Sequence, residues 1–178
     1  MSMDAFSAYS IDIARQRFSL WCAARAAQAG SAKARRNELI AALKACGVRE
    51  WIADPVNHSA TLEQYDQAFH RWVIGVQRHL KLEYKKPISY GIAAKLVSTY
   101  LKGVFVLGGC HTSSLAGHIT PPIDSILLRN IDKATRSTLA KTHKWQKLTK
   151  DQYNRVVAAL RRANGAAPAW HLESHWEP

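Results

Sequence analysis

Apolar residues recur at intervals of three and four almost throughout this chain, and a period of that kind leaves little room for strands. The clearest run starts at Thr61. Thr61 and Gln64 have capping-box spacing, and Leu62, Tyr65, Phe69, Trp72, Val73, Val76 and Leu80 follow on one helix face, which predicts a core helix. Ile11, Ala14, Phe18, Trp21 and Cys22 share the face of an earlier helix that Ser10 caps and Gly30 ends. A second helix, from Ala32 to Cys46, presents Leu39, Ile40, Leu43 and Cys46 and stops at Gly47, and Trp51 to Ser59 reads as a loop. Lys81 to Lys86 form a basic connection to a fourth helix after Pro87, with Ile88, Ile92, Leu96, Tyr100, Leu101, Val104 and Phe105 as its stripe. The glycine-rich stretch from Gly108 to Thr120 is expected to be a loop, closed by Pro121 and Pro122 ahead of a helix carrying Ile123, Ile126, Leu127 and Ile131. The last helix has a capping box of Thr149 and Gln152, a staple of Leu148 and Tyr153, and a stripe of Tyr153, Val156, Val157 and Leu160. The expectation is an all-α, single-domain bundle of six or more helices over residues 1–165, with an irregular tail over 166–178.

Charge narrows the choice of partners. The chain of 178 residues carries 25 Lys and Arg against 13 Asp and Glu, a formal net charge of +12. Nearly all of the excess lies between residues 81 and 162, where only Glu83, Asp124, Asp132 and Asp151 oppose the basic side chains. A local excess of that size suits a polyanion, so nucleic acid is the expected partner, DNA ahead of RNA; a solvated face is the plainer alternative. Lys85, Lys86, Lys102 and Arg129 are candidate phosphate contacts. In Lys141-Thr142-His143-Lys144-Trp145-Gln146-Lys147 basic residues surround an aromatic, a pattern suited to a phosphate backbone and a stacked base. Trp145 could equally dock in the core beside the final helix.

Cys22, Cys46 and Cys110 lie far apart with no CxxC spacing, so neither a disulfide framework nor a structural zinc site is expected. Cys110-His111 with His118, and His171 with His175, supply no complete metal-ligand set, and no cofactor is called for. The first residues lack a basic segment followed by an apolar one, and the run from Val104 to Leu107 is too short to span a bilayer. The expectation is a cytoplasmic protein without a membrane partner.

Two segments of this chain resemble a known family. Gly91-Ile92-Ala93-Ala94-Lys95-Leu96-Val97 resembles the hairpin core of the helix-hairpin-helix DNA glycosylases, and Pro122-Ile123-Asp124-Ser125 resembles a segment that follows it in that superfamily. Ala93 stands where the second hairpin glycine belongs. The resemblance implies that the backbone at Gly91 binds a DNA phosphate, that Lys95 is an amine nucleophile toward the sugar, and that Asp124 supports charge at the anomeric carbon. It implies N-glycosylase chemistry at most, possessed fully or in degenerate form. The plainer reading makes Gly91 to Phe105 one core helix with Lys95 reaching to solvent, and Asp124 an early-turn carboxylate on a helix dipole. A different class of function, a non-catalytic helical interaction or oligomerisation module, would use an aromatic patch around Trp170 and Trp176. The stretch from Arg17 to Ala26 is similar to the opening of bacterial proteins without assigned activity. Its alanines would let another helix approach closely.

Overall fold

The computed structural model describes residues 9–28 and 33–177, and every regular element among them is helical. In chain order these are α1 (Ile11–Gln28), α2 (Arg36–Ala45), α3 (Val48–Ala53), a 3-10 turn at Pro55–Ser59, α4 (Leu62–Tyr84) and α5 (Tyr90–Leu101). A π-helical extension over Lys102–Cys110 follows α5, then α6 (Ser114–His118), α7 (Ser125–Thr135), α8 (Leu139–Thr142), a 3-10 turn at Trp145–Lys147, α9 (Lys150–Asn164) and a 3-10 helix at Ala169–His175.

The axis of the bundle is α5, whose residues from Tyr90 to Ser98 are all buried. Ser89 caps it, its hydroxyl accepting from the Ile92 N–H at 3.2 Å. With its extension it runs for 21 residues, Tyr90–Cys110, at a hydropathy of 1.3 in its most apolar stretch, enough by length and composition to cross a bilayer. This run is longer than the Val104 to Leu107 stretch read from the sequence, because Gly103 and Gly108 are helical; the backbone kinks only at Gly109, in the left-handed region. Yet 61% of that stretch lies inside the fold, with α1, α2, α4 and the Trp145–Lys147 turn packed on α5. The expected loop from Gly108 is accordingly replaced by the end of the extension and by α6, capped by Ser113.

The inward face of α1 is the reverse of the one its large residues suggest. Ile11, Phe18 and Trp21 are exposed, while Ser19, Leu20, Ala23, Ala24 and Ala27 are buried against α5 and its extension. Small side chains permit the close approach. A Cβ added to Gly103 would meet the Ser19 hydroxyl at 2.6 Å, so the two backbones are nearly in contact. Dispersion over that tight interface replaces the area a large side chain would bury. Ser10 caps α1 as expected, its hydroxyl accepting from the Ile13 N–H at 3.3 Å; the proposed stop at Gly30 lies outside the described residues, and the second helix starts at Arg36 with Arg35 as its N-cap, later than the Ala32 expected, residues 33–35 being non-helical.

Elsewhere local signals carry through. Both capping boxes form, at Thr61 with Gln64 and at Thr149 with Gln152, and the stripes of α4 and α9 are buried apart from Leu62. The basic connection is shorter than expected because α4 continues to Tyr84 and ends on Lys85 in the left-handed region. The segment read as a loop from Trp51 holds the end of α3 and a 3-10 turn. There the Asn57 amide donates to the Trp51 carbonyl at 2.9 Å and the His58 ring contacts the Ile52 carbonyl at 3.0 Å, which serves two of the last carbonyls of α3. The tail is not irregular: Ala169 and Leu172 are buried and the strand-free segment winds as a 3-10 helix against α6, α7 and α9.

Candidate functional site

Lys95 and Asp124 stand 29 residues apart in sequence and meet at 3.2 Å. Each reaches that place through its own helix. Lys95 is mid-way along the buried axis of α5, and Asp124 is the N-cap of α7, where Pro121 and Pro122 deliver it in extended backbone. Its Oδ1 accepts from the backbone N–H groups of Ile126 and Leu127, both at 3.0 Å. Its Oδ2 accepts from the Lys95 ammonium and from the Trp176 indole N–H at 3.0 Å. Burial by itself would raise this carboxyl; the Leu127 N–H, the Trp176 indole and the Lys95 charge outweigh it and hold Asp124 below the ordinary carboxylate range. Asp124 is therefore an anion near neutral pH, suited to facing positive charge and unsuited to donating a proton.

Lys95 does not reach to solvent. It is 8% exposed, and its ammonium also lies 4.4 Å from the centre of the Trp145 ring. Trp145 is thereby buried and is not the exposed stacking platform its basic neighbours suggested. Gly91 is likewise occupied. Its N–H donates to the Leu148 carbonyl at 3.1 Å, and a Cβ there would sit 2.0 Å from the Trp145 carbonyl oxygen, so the backbone at Gly91 packs on protein and has no N–H to offer a phosphate.

The pair opens onto a cleft of about 460 Å³, within the usual range for small-ligand sites. Phe18, Trp21, Leu107, Pro122 and Trp176 give it apolar walls; Arg25, Lys102 and Glu173 add charge. Phe18 and Trp21 stack with ring centres 6.2 Å apart, and the Arg25 guanidinium lies 5.8 Å from the centre of the Trp21 ring. Cys22, also in the wall, has its thiol pushed up by burial against an opposing pull from Lys102. The aromatic walls come from the exposed face of α1. The sequence signal that could have revealed them is the small-residue stripe Ser19, Ala23, Ala24 and Ala27, which turns Phe18 and Trp21 outward.

The other basic candidates divide. Lys86 is paired with Glu38 at 2.7 Å, Lys102 is paired with Glu173, and Lys85 donates to the Leu82 carbonyl at 2.8 Å. Lys141, Lys144, Lys147 and Arg129 are exposed. A larger cavity of about 680 Å³ adjoins the cleft, sharing Lys102, Leu107 and Glu173 and adding Ile119, Trp170 and His171. No protein-family profile, curated protein or solved structure matches this chain. Its chemistry has to be read from these side chains. Among the described residues, no three His, Cys, Asp or Glu side chains converge as metal ligands, and the three cysteines are free thiols.

Proposed function

We propose that this chain is a nucleic-acid-binding protein whose aromatic cleft receives an unstacked base, with Lys95 and Asp124 arranged for N-glycosylase chemistry on the attached sugar. The single observation that supports it most is the meeting of an amine and an ionised carboxylate on the wall of a base-sized cleft faced with Phe18 and Trp21. An extruded base needs stacking surfaces, and its sugar needs an anion where positive charge develops. The basic stretch from Lys81 to Arg162, with Lys141, Lys144 and Lys147 exposed, supplies charge for the phosphate backbone.

In that reaction one Lys95 proton passes to solvent, Asp124 stays ionised, and the freed lone pair attacks C1′ of the nucleoside. The C1′–N bond breaks and its electrons leave with the base, which water protonates. The adduct loses a proton from nitrogen, O4′ takes one, and the sugar ring opens to an imine that borohydride reduces to a stable crosslink. Incubating the protein with oligonucleotides bearing damaged or mismatched bases, with borohydride present, tests this. A trapped adduct that disappears in Lys95→Ala, together with loss of base release in Asp124→Asn at retained or increased oligonucleotide affinity, is the expected result. Binding without release or trapping on any substrate would reduce the reading to a non-catalytic base-binding protein.

A second reading has its own observation. Ile11, Phe18, Trp21 and Leu107 are exposed apolar side chains, and the first three lie on one helix. Such a face also suits an interaction or oligomerisation module. Sedimentation over a range of protein concentrations separates the two, since a face used for self-association predicts a dimer that Phe18→Ser with Trp21→Ser dissolves.

A further inference from the structure

We infer that the tail from Pro168 to Trp176 is an autoinhibitory strap, closed over the cleft in the free protein and displaced when a nucleotide enters. The inference rests on the base-binding reading for what displaces the strap, and on the geometry alone for what the strap covers.

Three polar contacts fasten the tail across the site. The Trp176 indole N–H donates to Asp124 Oδ2, Glu173 pairs with Lys102, and the Asn130 amide on α7 donates to the His175 carbonyl at 2.9 Å. The Lys102 ammonium also lies 5.9 Å from the centre of the Trp176 ring. Upstream, the buried Ala169 and Leu172 anchor the tail in the core, so movement is confined to its last turn.

What Trp176 occupies is chemically specific. Its ring is a planar heteroaromatic forming part of the wall of a cleft that stacked Phe18 and Trp21 also line, and its N–H is the positive end of a dipole set against the one Asp124 oxygen not used to cap α7. That is the place where charge on an anomeric carbon would develop. While Trp176 stays, Asp124 Oδ2 is filled by the indole and Lys95, and Lys102 is neutralised by Glu173. Displacing the last turn would release a carboxylate oxygen for the sugar and a lysine for a phosphate in one motion. The contacts broken are the Trp176 indole and Asn130 hydrogen bonds, the Lys102 contact with the Trp176 ring and a partly covered Lys102–Glu173 ion pair, each small enough singly for binding to overcome.

Cys22 provides a reporter that needs no nucleic acid, because it lines the cleft together with Glu173 and Trp176, while Cys46, at the C-cap of α2 and outside the cleft lining, donates its S–H to the Leu43 carbonyl and serves as an internal control. Iodoacetamide alkylation of both thiols is followed by peptide mass spectrometry in the wild-type chain, Trp176→Phe and Glu173→Gln. Phenylalanine keeps a ring but removes the N–H, so a role limited to filling space predicts no change. The strap predicts that both substitutions speed alkylation of Cys22 by about fivefold or more, the scale of one lost hydrogen bond, with Cys46 unchanged. It also predicts a comparable gain in affinity for a single-stranded oligonucleotide. An unchanged Cys22 rate in both variants overturns it. Should a substitution loosen the whole fold and expose Cys46 too, hydrogen exchange in the wild-type chain decides: the Trp176 amide, bonded to the Glu173 carbonyl, has to exchange faster than the amides of α5, and equal protection overturns the strap. If Cys22 responds while no form binds oligonucleotide, the strap stands and the base-binding reading falls. If oligonucleotide binds but neither affinity nor Cys22 responds, the strap falls and the reading stands.

Discussion

Four hydrogen-bond donors converge on the two oxygens of Asp124, two of them backbone N–H groups at the start of α7 and two of them side chains from α5 and the tail. A carboxylate so placed holds three parts of the fold together, and its removal strands the Lys95 ammonium, which is buried between α5 and Trp145. Breaking a buried pair by deleting one partner costs about 3–5 kcal/mol, so Asp124→Ala is expected to lose that much in urea unfolding. A loss under about 1 kcal/mol, the worth of an exposed charge at a helix end, would mean that the Lys95 contact contributes nothing. The sign of the acid response follows from the same residue. Asp124 is held below its ordinary value, as is Asp132, where burial alone would raise the carboxyl but Ser137 and the Ala140 and Leu139 N–H groups prevail. Groups with depressed folded-state values bind more protons when unfolded, so their stabilisation is complete above the unfolded carboxylate range near pH 4 and is lost as pH falls from there through their lower folded-state values. Thermal midpoints are expected to drop below that range, with Asp124→Asn dropping less steeply than the wild type.

At the level of elements, α1 shows why hydrophobicity and burial part company. The reading of the sequence placed Phe18 and Trp21 inside because large apolar residues at helical spacing usually form the buried stripe; here Ser19, Ala23, Ala24 and Ala27 form it, since only small side chains allow α1 to lie against Gly103 on the α5 extension. Two sets of substitutions separate these faces. Phe18→Ser and Trp21→Ser are expected to change stability by no more than about 0.5 kcal/mol, as exposed positions do, whereas Ala24→Leu overpacks the interface and costs about 1–3 kcal/mol in the same thermal melts. The opposite ranking would restore the original face. Elements defined by neighbours in sequence were legible: the boxes at Thr61 and Thr149 close within four residues, and the stripes of α4 and α9 declare their own faces. The glycines after Phe105 were not, because the residue type that signals a loop also lets a helix continue, as Gly108 does against Arg15, and only Gly109 turns into the left-handed region. The tail was not legible either. Trp176 finds Asp124 only through the path of the whole chain, 52 residues away, and no local pattern encodes that contact.

Across the whole molecule, the placement of Lys95 beside Asp124 gives the charge distribution a direction. The order of the Gly91–Lys95 and Pro122–Asp124 segments suggested a shared site, yet Gly91 and Trp145 turn out to be packing residues that press α5 onto the turn before α9. On the proposed function, nucleic-acid contact comes from the exposed lysines and from the cleft walls, and the cleft takes its ligand from a polyanion that a +12 chain would attract. The most direct measurement is the binding of the wild-type protein to short duplex and single-stranded oligonucleotides across a salt series. Several phosphate contacts predict that log affinity falls linearly with log salt, with a slope of about −0.9 per phosphate neutralised on duplex and about −0.7 on a single strand, and that a duplex with an unpaired base binds more tightly than the matched one. No detectable binding at about 50 mM salt, where such contacts are strongest, would contradict the assignment of this protein to nucleic acid.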